Sequence, residues 1–209
     1  RGRQSQIIQI GAVLLDTSSN RVLKIFEMLC RPEDAADRVP GLGSIRHNNN
    51  NIHNITDLTG ITAEMVEKSP CIREVLQLYW KWIEEECGSK VIYEWGTGDS
   101  RELYTASKAR GIFYPRLETF NVKEMSKTFR QAINIKAKGG LRNTMEAFGI
   151  TFFGSEHNAL DDAFNTGLLY LKFNELIGSA LNNNNRYDGF RHFDDINLIS
   201  LYAEMKSKI

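Results

Sequence analysis

The chain has 209 residues, 42% of them hydrophobic, enough for one core of good size with a small appendage. Its 26 lysines and arginines balance 26 aspartates and glutamates, which excludes a global positive field as the means of holding a nucleic acid. Cys30, Cys71 and Cys87 lack CxxC or Cys/His spacing, no apolar run reaches the roughly 18 residues that span a bilayer, and Arg1 to Gln6 does not resemble a signal peptide, so a structural zinc site, a disulfide framework and a membrane partner are excluded and an intracellular location, cytoplasmic or nuclear, is expected.

Ile7 to Asp16 is an apolar, β-branched run that stops at Thr17-Ser18-Ser19-Asn20, and Val22 to Cys30 is strand-like again, which predicts a hairpin ending before Pro32. From Glu33 to Thr62 the pattern dissolves into Pro40, Gly41, Gly43 and the asparagines at 48–51, which reads as a long surface loop. Thr62 looks like a helix N-cap, and Ile72, Val75, Leu76, Tyr79, Trp80 and Ile83 recur at helical spacing, predicting a core-facing helix that ends near Gly88. Val91 to Trp95 reads as a short buried strand, Ser100 to Arg110 as a helix closed by Gly111, and Phe120 to Val122 as a further strand. Helices are predicted over 123–132, 141–148 and 158–176, with a final one over 196–206. The alternation points to an α/β layered domain over residues 1–178, followed by a C-terminal tail, 179–209, of unknown role. That tail carries four asparagines at 182–185 and the aromatics Tyr187, Phe190 and Phe193, which either pack on their own domain or serve protein contacts.

Three features could carry chemistry. His157 precedes Asp162 by five residues at the start of a predicted helix, so an imidazole and a carboxylate can face one cleft. Phosphodiester hydrolysis at neutral pH calls for a base and for cations held by carboxylates, although a helix-start aspartate also favours the dipole for purely structural reasons. Asp99 follows the strand at 91–95 through Gly96-Thr97-Gly98, at the end of a strand where α/β sheets bind ligands, or else it caps the next helix. Beside it, Trp95 is expected in the core and Glu94 on the surface. Finally, Lys123, Lys127, Arg130, Lys136, Lys138 and Arg142 stand against the single acid Glu124, a stretch that can follow a phosphate backbone or form a solvated face.

Ile7 to Asp16, Leu58-Thr59-Gly60-Ile61-Thr62, Trp95-Gly96-Thr97-Gly98-Asp99 and Gly154-Ser155-Glu156-His157-Asn158-Ala159-Leu160-Asp161-Asp162-Ala163 together resemble, in order and spacing, the DEDDh exonucleases. These form the DnaQ-like branch of the ribonuclease H-like fold, and the likeness is to its histone-mRNA and small-RNA exoribonucleases. The resemblance implies an α/β fold with a mixed sheet flanked by helices, and two Mg²⁺ or Mn²⁺ ions. It makes His157 the general base, Asp162 a direct metal ligand, and Asp99 a ligand acting directly or through water. Thr59, Gly60 and Ile61, with Lys136 and Lys138, become candidates for binding the 3′ end of single-stranded RNA or DNA, RNA being favoured because that branch is rich in RNA exonucleases. Asp161 is expected on the surface.

One departure is large. The family's first motif, Asp-x-Glu on an opening strand, should stand before Ile7, yet Arg1 to Gln6 contains no acid, and Asp188, Asp194 and Asp195 lie in no apolar strand. The chain opens on Arg1 rather than Met, as a processed chain, a fragment or a partial sequence would. Two readings stay open: a metal-dependent 3′–5′ exonuclease shown without its first strand, or a catalytically inactive nucleic-acid-binding or scaffold homologue.

Overall fold

Strand β1 (Gln9–Asp16) is apolar at nearly every position because both of its faces are covered. It pairs antiparallel with β2 (Arg21–Leu29), from Gln9 opposite Leu29 to Asp16 opposite Arg21, with one register irregularity between Leu14 and Leu15. Ile10, Ala12, Phe26 and Met28 face one helical layer, while Val13, Leu15, Val22 and Ile25 face another. The turn between the strands is held by Asp16, whose carboxylate accepts from the hydroxyls of Ser18 and Ser19 and is kept at a pKa of about 2 by them. The structure, a computed structural model, describes residues 7–33, 44–46, 52–88, 91–181 and 196–209.

The first layer is α3 (Ile72–Glu86), whose buried positions Ile72, Val75, Leu76, Tyr79, Trp80 and Ile83 form the predicted stripe. Trp80 stacks on Tyr104 at 5.5 Å and donates its indole N–H to Ser107 at 2.8 Å, docking α4 (Asp99–Ala109) against α3. The second layer is the long helix α7 (Ala159–Leu181), joined in the larger core by α6 (Leu141–Ala147), α5 (Val122–Ala132) and α8 (Ile196–Lys206). From α8, Leu198 and Tyr202 are fully buried, and the Tyr202 ring stacks on Phe164 at 3.9 Å. The tail aromatics Tyr187, Phe190 and Phe193 lie outside the described residues.

Strand β5 (Val91–Glu94) pairs in parallel with β6 (Glu118–Asn121), the crossover between them being α4. Where the sequence suggests only a loop, the described residues also contain β3 (Ser44–Arg46) paired with β4 (Ile52–Asn54), then α1 (Ile55–Thr59), and α2 (Ala63–Glu67) follows at the expected Thr62 cap. These pieces are too short to show a period. Their caps are local: Asn54 accepts from Thr56 N–H, Gly60 closes α1 at φ 73°, and Thr62 caps α2 through Met65 N–H as its sequence suggests.

The close approach of α7 to β1 sets the position of everything at the helix start. A Cβ on Gly11 would overlap the backbone of Ala159 and Leu160, and one on Gly167 would overlap the Leu15 side chain. Because backbone cannot rotate aside, Gly11→Ala is expected to lower unfolding free energy by about 1–3 kcal/mol or more. Urea denaturation checks this; an unchanged midpoint would refute the tight crossing.

Candidate active site

Helix α7 begins beside His157 through a set of interlocking caps. Asn158 accepts from Asp161 N–H with its side chain at 3.0 Å and from Asp162 N–H with its carbonyl at 2.9 Å. Gln9 of β1 accepts from Ala159 N–H at 3.0 Å, fixing the helix start to the strand, and Glu27 accepts from the Gln9 amide at 2.8 Å. These contacts satisfy backbone donors that a helix start otherwise leaves open. Neither Gln9 nor Asn158 is a candidate in the sequence reading, although an asparagine just before a helical run is a capping signal and Gln9 is the polar break in an apolar strand.

The loop before the helix is clamped from below by two buried α7 side chains one turn apart. Asn165 accepts from Phe153 N–H at 2.9 Å and donates to Phe153 C=O at 2.7 Å, while Asp161 accepts from Ser155 N–H at 3.0 Å. Asp161 is therefore not a surface residue: it is 1% exposed, and its carboxylate fills the space a Cβ on Gly154 would need. An aspartate at the start of an otherwise apolar helix reads as solvent-facing until the partners that bury it are known. His157 itself is exposed and held at φ 66°, a left-handed backbone uncommon for a non-glycine residue.

Asp162 is half-buried next to it, and the His157 backbone hydrogen-bonds to its carboxylate. Burial raises the Asp162 pKa to about 7, opposed by that His157 hydrogen bond and reinforced by the negative charges of Glu156, Asp161 and Asp99. Asp99 stands at the first position of α4, just past the carboxyl end of β5. Its side chain reaches solvent, yet burial of its inner side, then Glu94 and Glu102, hold its pKa above the ordinary carboxylate value. Asp99 is not the cap of α4. Gly98 holds the cap position, and the helix-start donors of Ser100 are met by Glu94, expected on the surface but only 7% exposed, which accepts from the Ser100 N–H at 2.9 Å and from its hydroxyl at 2.6 Å. Trp95 is partly buried against the larger core, as its residue type suggests.

Thr59, Gly60 and Ile61 line a cavity of about 310 Å³ whose other walls include Gln9, Glu27, Leu29, Met65 and Asn158. The cavity therefore lies beside the start of α7, one residue from His157. Lys136 and Lys138 stand exposed between α5 and α6. The same basic stretch reaches the His157 loop through Arg142, which pairs with Glu156 at 3.0 Å and lies 4.4 Å over the Phe152 ring.

The residues fit a divalent cation in part. Asp162 and Asp99 are carboxylates, each costly to ionise: burial and the charges of Glu156, Asp161 and Asp99 act on Asp162, burial and the charges of Glu94 and Glu102 on Asp99, the electrostatic setting a cation relieves. Among the described residues, however, no group of three or more His, Cys, Asp or Glu side chains comes together as a metal site.

A model of the RNase T exonuclease family matches residues 2–170, most of the chain. The chain belongs to this exonuclease family. ERI1 exoribonuclease 2 of Danio rerio is 28% identical over 185 residues, an alignment that covers 78% of this chain and 30% of that protein. The exonuclease chain thus spans less than a third of its curated relative. Among solved structures, the nuclease domain of 3′hExo, a DEDDh family member bound to rAMP, aligns with a TM-score of 0.60 at 22% identity over 80% of each chain. The 3′-exonuclease in 3′-end specific recognition of histone mRNA stem-loop aligns at 0.60 and 21% identity, over 80% of this chain and 71% of that one. Cell-death related nuclease 4 (CRN-4) aligns at 0.65 and 15% identity, over 82% and 57%. The exonuclease fold is thus the ribonuclease H-like α/β arrangement, in which the described residues form three two-stranded ladders with helices packed on them. Among the described residues no helix is long and apolar enough to cross a membrane.

Proposed function

We propose that this domain is a metal-dependent 3′–5′ exonuclease that hydrolyses phosphodiester bonds at the 3′ end of single-stranded nucleic acid, RNA in preference to DNA. The observation that carries the reading is the locked pair at the start of α7, where the backbone of exposed His157 hydrogen-bonds to the carboxylate of Asp162. That bond fixes the His157 backbone relative to the carboxylate and so sets where the exposed imidazole starts from. His157 takes the proton of the attacking water as general base. Asp162 and Asp99 would hold Mg²⁺ or Mn²⁺. Bound there, such ions would supply positive charge to neutralise the phosphate.

The cavity lined by Thr59, Gly60, Ile61, Leu29 and Met65 takes the terminal nucleotide, its apolar side chains serving the base face and Gln9, Glu27 and Asn158 offering donors and acceptors. Lys136 and Lys138 contact backbone phosphates further from the end. RNA is favoured by the curated relative, an exoribonuclease, and by the 3′hExo nuclease domain bound to rAMP.

A second reading, a nucleic-acid-binding homologue without catalysis, is favoured by one observation: no described group of three acidic or histidine side chains forms a metal site. One experiment separates the two. With a 3′-labelled single-stranded RNA and Mn²⁺, the full-length protein is expected to release mononucleotides, and EDTA to stop the release. Binding of the RNA without any release would leave the non-catalytic reading standing and overturn the first.

A further inference from the structure

We propose that Asp161 is the positioning residue of the His157 loop, tying it to the C-terminal helix α8. The proposal rests on the exonuclease reading for its consequence, but its geometry is independent of it. One carboxylate oxygen of Asp161 accepts from the Tyr202 hydroxyl and from Lys206 Nζ, both at 2.6 Å. The other accepts from Ser155 N–H at 3.0 Å, two residues before His157. A single side chain, 1% exposed, therefore joins two elements more than 40 residues apart in sequence.

The junction is built rather than incidental. Gly154 leaves room for the carboxylate by having no Cβ, and it sits at φ 82°, so any other residue there would both strain the backbone and strike Asp161. The Tyr202 ring lies parallel to Phe164 and edge-on to Phe153, so its hydroxyl cannot swing away without breaking the core. Lys206 lies at the surface end of the same helix, its side chain 33% exposed, and it supplies the cation that a buried carboxylate needs. Since Asn165 already clamps Phe153 on both sides, the Asp161 contact at Ser155 is what carries the clamp onward toward His157. The loop position is thereby set by whether α8 is docked, and the tail helix becomes part of how the base is aimed.

Tyr202→Phe removes one hydroxyl while keeping the ring stack, and Lys206→Met removes one charge at a partly exposed site. A hydrogen bond to a charged group shifts a local opening equilibrium by about tenfold or more. In the full-length protein, amide hydrogen exchange at Ser155 is expected to quicken by about that factor in both variants, with α3 unchanged, and Lys206→Arg to restore the slow rate. Against a 3′-labelled RNA, kcat is expected to fall about fivefold or more and by a larger factor than KM rises, because the base is misplaced while the cavity loses at most the one wall that follows α8, Ile209. Unchanged exchange at Ser155, equal acceleration throughout α3, or faster loop exchange with kcat unaltered would each overturn the proposal. If the unsubstituted protein releases no nucleotide, the exonuclease reading fails and the exchange measurement alone decides the tether.

Discussion

Replacing His157 with asparagine is expected to slow 3′-nucleotide release by about 10²–10⁴-fold, the usual contribution of a general base, with little change in thermal stability. Asparagine is the informative substitution because His157 holds φ 66° and asparagine is among the residue types that adopt this backbone most readily. Its backbone N–H survives, so the hydrogen bond to the Asp162 carboxylate survives with it. The side chain is exposed and contributes little burial, so the lost rate can be assigned to the imidazole rather than to a disturbed loop. Single-turnover release and a melting curve measured side by side check both halves. A variant that keeps its rate within about a factor of ten while melting with the parent removes His157 from the base role.

Much of the fold was legible because its elements carry long periodic signals. The α3 stripe of Ile72, Val75, Leu76, Tyr79, Trp80 and Ile83 repeats over three turns, and β1 is long enough for its apolar run to be unambiguous. The paired strands at 44–46 and 52–54 have three residues each and no period to read. Within the candidate site, His157, Asp162 and Asp99 are visible as residue types at a spacing, but the residues that aim them are not. Glu94 and Asp161 were both expected at the surface because charge predicts exposure, and both are buried for one reason: each accepts backbone and side-chain donors at an element end. The partner of Asp161 lies 41 positions away at Tyr202, a distance over which sequence patterning carries no information.

Asp162→Asn should separate the cost of the site from its use. The folded Asp162 carboxyl keeps its proton up to a pH of about 7, whereas an unfolded aspartate loses it near 3.8. Between those values the folded state binds more protons than the unfolded one, so stability falls as pH rises through the window, and the whole penalty stands above it. At 1.36 kcal/mol per unit the ceiling is about 4 kcal/mol, reduced by the solvent that still reaches this half-buried group. Asparagine carries no such charge and can still accept from His157 N–H. In EDTA at pH 8 the variant is therefore expected to melt above the parent, with the gap closing as pH approaches 4. Added Mn²⁺ should reverse the trend, stabilising the parent more than the variant, because a cation relieves the repulsion that Glu156, Asp161 and Asp99 impose on Asp162. Nucleotide release by the variant should drop by about 10³-fold, the loss of several kcal/mol of cation-dependent stabilisation. Were the variant instead to melt below the parent in EDTA at pH 8, Asp162 would be a carboxylate stabilised by its surroundings, and a site kept at the expense of stability would be the wrong description of this helix start.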